Sequence, residues 1–186
     1  MVMKKFISLL LIGIGISIIS FGQWPSDPLE NLALSNATGE QAIPKVATSV
    51  NGITYVAWFS NTSGNYDVML QKLDVYGNKL WEENGIVVSD NPAMTWLTDW
   101  DMMVDYTDCA ILTFQDIRNG DNDVFAYRIS ADGEHLWGED GIEMSTGPAF
   151  DVSPKVCVTN ANNSCFAWQA DDVVILQKIS PDGNKL

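Results

Sequence analysis

The chain has few of the residues on which enzymes and metal sites commonly depend. Its 186 residues include one histidine, His135, and three cysteines. His135 lies in a repeated turn, where it aligns with Lys79 and Lys185, so we expect a solvated turn residue and no histidine-based catalysis. Three cysteines match neither a zinc spacing nor a dense disulfide scaffold. No phosphate-binding glycine loop or nucleophile elbow occurs either.

Positive charge is also scarce. The chain has 10 Lys and Arg residues against 24 Asp and Glu residues, a formal net charge of −14. This balance predicts that nucleic acid and anionic lipid surfaces are repelled. Calcium, cationic surfaces and neutral sugars stay open as partners.

Long apolar runs are missing except at the N-terminus. Lys4 and Lys5 precede an uncharged stretch over residues 6–21, and small residues stand at its end, at Ser20 and Gly22. This pattern predicts a secretory signal peptide over residues 1–22, with a retained anchor as the alternative. We therefore expect a secreted or cell-surface protein without stable membrane insertion after cleavage. The mature domain would span residues 23–186, with a net charge of 8 − 24 = −16.

What the sequence does contain is a repeat. Gly77 recurs as Gly133 and Gly183, at spacings of 56 and 50 residues. Trp58 recurs as Phe114 and Trp168, at 56 and 54 residues. These matches define units at about residues 44–89, 100–145 and 154–186. Asp172-Val173 is aligned with Asp67-Val68 and Asp123-Val124 on the same basis.

Each unit has the composition of short β-strands. In the first unit, segments rich in β-branched and aromatic residues cover about residues 45–50, 53–59, 68–73 and 86–89, with turn residues between them. The second segment, ITYVAWF, is apolar on both faces, so both faces must be covered by neighbouring sheets. The sequence therefore predicts an all-β fold, a β-propeller of four-stranded antiparallel blades with about three blades present.

The segment before the first unit resembles the last strand of a unit. Residues 31–35 stand 54 residues before the equivalent end of GIVVS at Ser89. This spacing predicts an N-terminal strand that belongs to another blade. Three blades are fewer than the usual four to eight. We expect a partial propeller completed by remaining blades of the same protein, or alternatively by a second copy that makes a six-bladed ring.

Several stretches resemble a known group of proteins. They are GEQAIPKVA at 39–47, YVAWFSN with SGNYDVMLQKLD at 55–74, and GNKLWEENGIVVS at 77–89. They are similar to secreted propeller-like repeat proteins of Bacteroidota, which often carry a sorting domain for type IX secretion. The repeated turn also looks like the Asp-box of sialidase-type propellers. Ser130-Ala131-Asp132-Gly133 departs from it by placing glycine directly after aspartate, so sialidase function is not carried over.

One connection breaks the repeat and is therefore a candidate ligand site. It contains Trp96, Asp99, Trp100 and Asp101, and the other units have no tryptophan there. Indole rings could stack on a sugar while the carboxylates bind its hydroxyls. The alternative is that Trp100 fills a gap between blades.

A second candidate is a calcium site in the loop QDIRNGDN. Asp116, Asp121 and Asp123 lie close together there, and calcium takes several oxygen ligands from such loops. The alternative is a solvated hairpin loop without a metal.

A disulfide is a further possibility, since export permits one. Cys157 and Cys165 flank VTNANNS, and a turn at Asn160 to Asn162 would place them opposite each other. Two unbridged thiols are the alternative.

These features predict a non-enzymatic extracellular interaction or adhesion module of a larger protein, with saccharide or extracellular protein as partner. The alternative is a propeller glycoside hydrolase or lyase fragment that acts on extracellular polysaccharide. No residue is assigned a catalytic role, because paired acid and base carboxylates require a separation that sequence does not set.

Overall fold

A computed structural model describes residues 24–25, 27–93 and 99–186. Within these ranges the chain forms eleven strands, and it contains no helix that could span a bilayer. The expected signal peptide and Trp96 lie outside the described residues. The strands are β1 Gln41–Thr48, β2 Thr54–Ser60, β3 Asp67–Leu73, β4 Ile86–Ser89, β5 Asp101–Val104, β6 Ala110–Asp116, β7 Asp123–Ile129, β8 Ile142–Glu143, β9 Asp151–Val158, β10 Ser164–Ala170 and β11 Val173–Ile179.

The strands form three separate antiparallel sheets. The first has the order β1-β2-β3-β4, the second β5-β6-β7-β8, and the third β9-β10-β11. We call these sheets blades 1, 2 and 3. The first strands of the blades are β1, β5 and β9, and each contacts the first strand of the neighbouring blade. The three blades thus follow one another in an arc, and we call the side that these first strands share its inner side. The predicted all-β propeller of about three blades is thus confirmed.

Strand register corrects the alignment of the third unit by one residue. Ser60 lies opposite Asp67, Asp116 opposite Asp123, and Ala170 opposite Val173. Val173, and not Asp172, therefore occupies the position of Asp67 and Asp123. The cause is the connection between the second and third strands, which covers residues 61–66 and 117–122 in blades 1 and 2 but only 171–172 in blade 3.

The repeated glycine turn joins neighbouring blades. Gly77, Gly133 and Gly183 all have positive φ, near 83–89°. A Cβ atom on Gly133 would lie 3.3 Å from Ile86 and 3.7 Å from Trp81 of blade 1. On Gly183 it would lie just as close to the equivalent tryptophan and isoleucine of blade 2, Trp137 and Ile142. The repeated tryptophan is therefore structural, and it packs on the turn of the next blade.

His135 is not the solvated turn residue expected from sequence. Its ring Nε2 lies 3.0 Å from the carbonyl oxygen of Val88 in blade 1, and its ring packs edge-on against Tyr127. The turn leans against the preceding blade, and this covers the side chain.

Two apolar clusters hold the blades together. The first joins blades 1 and 2 and includes Tyr55, Leu70 and Phe114. The second joins blades 2 and 3 and includes Val124, Phe166 and Trp168. Blade 2 is therefore covered on both faces, which explains why every residue of β6 is buried.

Residues 31–35 form no strand in the structure, contrary to the expectation. A strand needs a hydrogen-bonding partner, and no described strand runs beside this segment. Instead Leu32 and Leu34 line a cavity together with Trp58 of blade 1, and Ser35 donates a hydrogen bond to Asn84.

Candidate functional site

The inner side of the arc carries a charged cluster made of one residue from each blade. Asp99, directly before β5, lies between Lys45 of β1 and Lys155 of β9. Lys45 Nζ donates to Asp99 Oδ1 at 2.6 Å, and Lys155 Nζ donates to Asp99 Oδ2. We call these three residues the axial cluster. Its net charge is positive, in a chain whose overall charge is strongly negative.

Strained backbone places the two lysines. Ile43 and Ser153, each two residues before a lysine, have positive φ of 49° and 55°. Such a conformation is an outlier for a β-branched residue like isoleucine. The strand register is interrupted at both places, which marks a β-bulge. Bulges re-aim side chains, and strain of this kind is enriched at functional sites.

A buried tryptophan supports the first bulge. Trp100 is 1% exposed, and its Nε1 donates to the carbonyl oxygen of Ile43 at 2.9 Å. Its ring packs edge-on against Phe59. Trp100 therefore fills the space between blades 1 and 2, and the expectation that it stacks on a sugar is wrong. The other candidate for stacking, Trp96, lies outside the described residues.

The two lysines keep Asp99 ionised. Hydrogen bonds from Lys155 and then Lys45 lower the pKa of Asp99 to about 2. About half of its side chain remains exposed. Asp99 can thus accept hydrogen bonds from a ligand at any ordinary pH, but it is a poor proton donor.

The carboxylate of Asp101 is used in hydrogen bonds within the fold. Its Oδ1 accepts from the amide of Met102, and its Oδ2 accepts from the amide of Val156 in blade 3. Both carboxylate oxygens are used, so Asp101 connects blades 2 and 3. A ligand would have to compete with these bonds.

The three aspartates of the expected calcium site play different roles. Asp116 is fully buried, and Arg118 binds both of its oxygens and also the Tyr127 hydroxyl. The guanidinium lies 3.6 Å from the centre of the Phe125 ring. This network explains the QDIRNGDN loop as an arginine-anchored turn.

Asp123 is buried and receives a hydrogen bond from Asn119 on Oδ2, whereas its Oδ1 accepts none from any described residue. Burial raises the pKa of Asp123, and Glu143, Asp151 and Asp121 raise it further. Within the described part of the chain, no three acidic, cysteine or histidine side chains are grouped to hold a metal ion. Calcium binding stays a prediction, but the structure does not group Asp116, Asp121 and Asp123 as a shared set of ligands.

Cys157 and Cys165 lie directly opposite each other on β9 and β10, as expected from the hairpin. Both are unbridged thiols in this structure. Burial raises the pKa of Cys157, and the adjacent Cys165 adds to this effect. The disulfide stays a prediction that the facing positions permit.

Sequence reasoning found Asp99 but missed Lys45 and Lys155. Pro44-Lys45-Val46 and Pro154-Lys155-Val156 repeat, which marks the two lysines as equivalent. The middle unit aligns Asp101 with them, whereas the carboxylate that binds both lysines is Asp99, so this alignment alone points to the wrong aspartate. The missing element was knowledge of which strand is innermost.

No family model matches the chain, and no curated protein matches it. Solved structures do resemble it. The intramolecular trans-sialidase from Ruminococcus gnavus aligns with a TM-score of 0.48 and 11% identity, over 81% of this chain and 34% of that chain. The endo-arabinase from Bacteroides thetaiotaomicron aligns at 0.44 and 14%, over 83% of this chain and 63% of that chain.

The α-L-arabinofuranosidase from Clostridium thermocellum aligns at 0.41 and 14%, over 78% of this chain and 49% of that chain. The chain thus spans less than two thirds of the length of each of these proteins. Likeness at this level of identity shows the fold alone.

Proposed function

We propose that this chain is the propeller segment of an extracellular protein that binds polysaccharide at the inner side of its blades. The main observation in support is the axial cluster. There Lys45, Asp99 and Lys155 from three blades meet at an exposed position beside strained backbone. Ammonium groups and an ionised carboxylate can bind sugar hydroxyls as donors and acceptors. The overall net charge of −14 repels polyanions, so neutral saccharides are favoured over those that carry carboxylates. Trp96 is proposed as an additional stacking residue.

Affinity electrophoresis of the purified full chain in gels containing polygalacturonate or neutral arabinan tests this function. We expect retardation in arabinan, weaker retardation in polygalacturonate, and loss of both in the double variant Lys45→Met, Lys155→Met. Lys79→Met is the matched control, because it removes one surface cation outside the axial cluster. Equal retardation of the double variant and the control would overturn the assignment of the cluster.

A glycoside hydrolase is the second candidate, favoured by the persistent ionisation of Asp99. An ionised carboxylate suits the base or nucleophile of a glycosidase, which also needs an acid about 5 to 10 Å away. Asp101 and Asp116 are both held in structural bonds, so the acid would be another carboxylate. Release of reducing ends that is lost in Asp99→Asn, with binding retained, would favour the hydrolase. Binding without release favours the interaction module.

Export through a cleaved signal peptide over residues 1–22, and membership of the secreted repeat proteins of Bacteroidota, belong to the same proposal. The apolar stretch behind Lys4 and Lys5 supports them. N-terminal sequencing of the secreted product should begin close to Gln23. A product that retains Met1 and stays cell-associated would contradict export with cleavage.

A further inference from the structure

We infer that blade 3 binds blade 1 of a second copy of this chain, head to tail, so that two chains of three blades form a ring of 2 × 3 = 6 blades. The proposal rests on a comparison of equivalent positions in the two interfaces within the chain and on the two open faces. Six blades lie within the usual range of four to eight.

The exposed face of blade 3 has the composition of a buried interface. Leu70 in blade 1 and Ala126 in blade 2 are fully buried against the next blade, whereas the equivalent Leu176 is 71% exposed. Val68 and Val124 are buried in the same way, and the equivalent Val174 is exposed. The third strands β3, β7 and β11 have the same register, and these positions lie on the same side of each. The face of β11 therefore corresponds to the faces of β3 and β7 that the next blade covers.

Blade 1 carries the complementary surface. Met102 and Val156, on the first strands of blades 2 and 3, are 3% and 7% exposed because the preceding blade covers them. Their equivalent in blade 1, Val46, is 67% exposed. The two open faces are therefore the two halves of one kind of interface, which the chain already makes twice.

A repeated polar contact points the same way. Lys72 Nζ donates to the carbonyl oxygen of Ala131 in the turn of the next blade, at 2.8 Å. Arg128, its equivalent in blade 2, donates to the carbonyl oxygen of Pro181 at 3.0 Å. Lys178 is the equivalent cation in blade 3. By the same repeat, the carbonyl that it would reach is that of Val75 in a second copy.

The segment at residues 31–35 supplies the remaining part. Leu34 is equivalent to Val88 and Met144, which belong to the same apolar clusters as Phe114 and Trp168 of the next blade. Leu34 lines a cavity together with Trp58, the equivalent aromatic residue of blade 1. The repeat thus assigns to it the place of a fourth strand from a preceding blade.

Blade 3 has an outer edge, β11, that no described strand pairs with. The register of blade 1 pairs Val68 with Ser89 and Leu70 with Ile86. Transferred by the repeat, it pairs Val174 with Ser35 and Leu176 with Leu32 of the second copy. Addition of a strand at a sheet edge is an established mode of recognition. Residues 31–35 would then complete blade 3 of the neighbouring chain.

Sedimentation velocity of the purified full chain tests the ring. We expect a species of twice the chain mass, and its dissociation in Leu176→Asp and in Val46→Asp. An aspartate at either position should weaken association by about 100-fold or more, because it loses apolar burial and would bury a charge. Leu136→Asp, at an exposed position on blade 2, is the control and should remain dimeric. Circular dichroism checks that the variants stay folded, since Leu176 and Val46 are exposed in the single chain.

A mixture of the two variants distinguishes a head-to-tail ring from other dimers. Each variant alone has two damaged interfaces, but a mixed pair has one intact interface, between Leu176 of the Val46→Asp chain and Val46 of the Leu176→Asp chain. Partial recovery of the dimer on mixing is the expected result. The proposal would be overturned if the full chain stays monomeric at 100 times the concentration needed to detect it. That result is expected if another part of a longer protein covers blade 3. A dimer that resists Val46→Asp would overturn the proposal as well.

Discussion

Blades 2 and 3 carry the same repeat but have opposite surroundings. In β6 and β7 nearly every residue is buried, whereas in β11 only Ile179 is buried. The residue types are similar, since β11 reads VVILQKI and β7 reads DVFAYRI. The comparison shows that an apolar strand becomes a core strand only when a neighbouring blade covers its second face.

The two blades also differ in how they connect their second and third strands. Blade 2 uses a long loop that is anchored by the buried pair of Asp116 and Arg118. Blade 3 has Ala170 at the position of Asp116 and a two-residue connection, with Asp171 at positive φ. The buried ion pair is thus a feature of the blade 2 loop alone, because blade 1 has a connection of the same length with Ser60 at the position of Asp116.

Removing one partner of this pair should have the largest effect on stability. Arg118→Met leaves the carboxylate of Asp116 buried without its cation, and we expect a loss of about 3–5 kcal/mol in the free energy of unfolding. Urea unfolding at fixed protein concentration measures it. Lys79→Met, which breaks a pair whose Glu83 partner is largely exposed, should cost less than about 1 kcal/mol. Equal losses in both variants would contradict the assigned role of the buried pair.

The exposure difference between blades can be tested at one repeat position. Leu70→Ala removes a fully buried side chain between blades 1 and 2 and should cost about 2–5 kcal/mol. Leu176→Ala, at the equivalent exposed position, should change the free energy of unfolding by less than about 0.5 kcal/mol when the chain is monomeric. Thermal unfolding of dilute samples gives both values. A large loss for Leu176→Ala under these conditions would mean that its face is already covered within one chain.

The repeated cation gives a smaller contrast. Lys72→Met removes a hydrogen bond to the carbonyl oxygen of Ala131 in blade 2, and the expected cost is about 1–2 kcal/mol. Lys178→Met in the monomer should cost almost nothing, because its partner would belong to another chain. Paired urea titrations compare the two. Similar costs for the two lysines would weaken the equivalence between the interfaces.

Two aspartates should give opposite responses to pH, with the smallest effects. The pKa of Asp99 is lowered to about 2, so its contribution to stability is present above its ordinary pKa near 3.8 and is lost as pH falls from there through about 2. Asp99→Asn should remove this loss.

The pKa of Asp123 is raised by burial, so the folded chain binds a proton first, and stability rises as pH falls toward 3.8. Asp123→Asn should be more stable than the parent chain at neutral pH and lose that advantage in acid. Unfolding midpoints between pH 2 and 7 check both signs. The same pH response in both variants would contradict the assigned environments.

Some features of the site were predictable from residues and others were not. Asp99 was a candidate because it breaks the repeat, and the structure places it between Lys45 and Lys155. Trp100 was selected for the same reason but is buried against Phe59, where its ring Nε1 donates to the carbonyl oxygen of Ile43. Asp116 looked like a metal ligand until the structure brought Arg118 back onto it, a contact that composition alone does not distinguish from a calcium loop.

The sequence by itself determined the period, the strands, the glycine turns and the blade architecture. These follow from local requirements, since positive φ needs glycine and a doubly covered strand needs apolar residues on both faces. Only the tertiary structure decided that Lys45, Asp99 and Lys155 meet, that His135 packs on blade 1, and that Leu176 is left exposed. Those outcomes depend on which blade stands beside which, and residues more than fifty positions apart become neighbours only when the sheets pack.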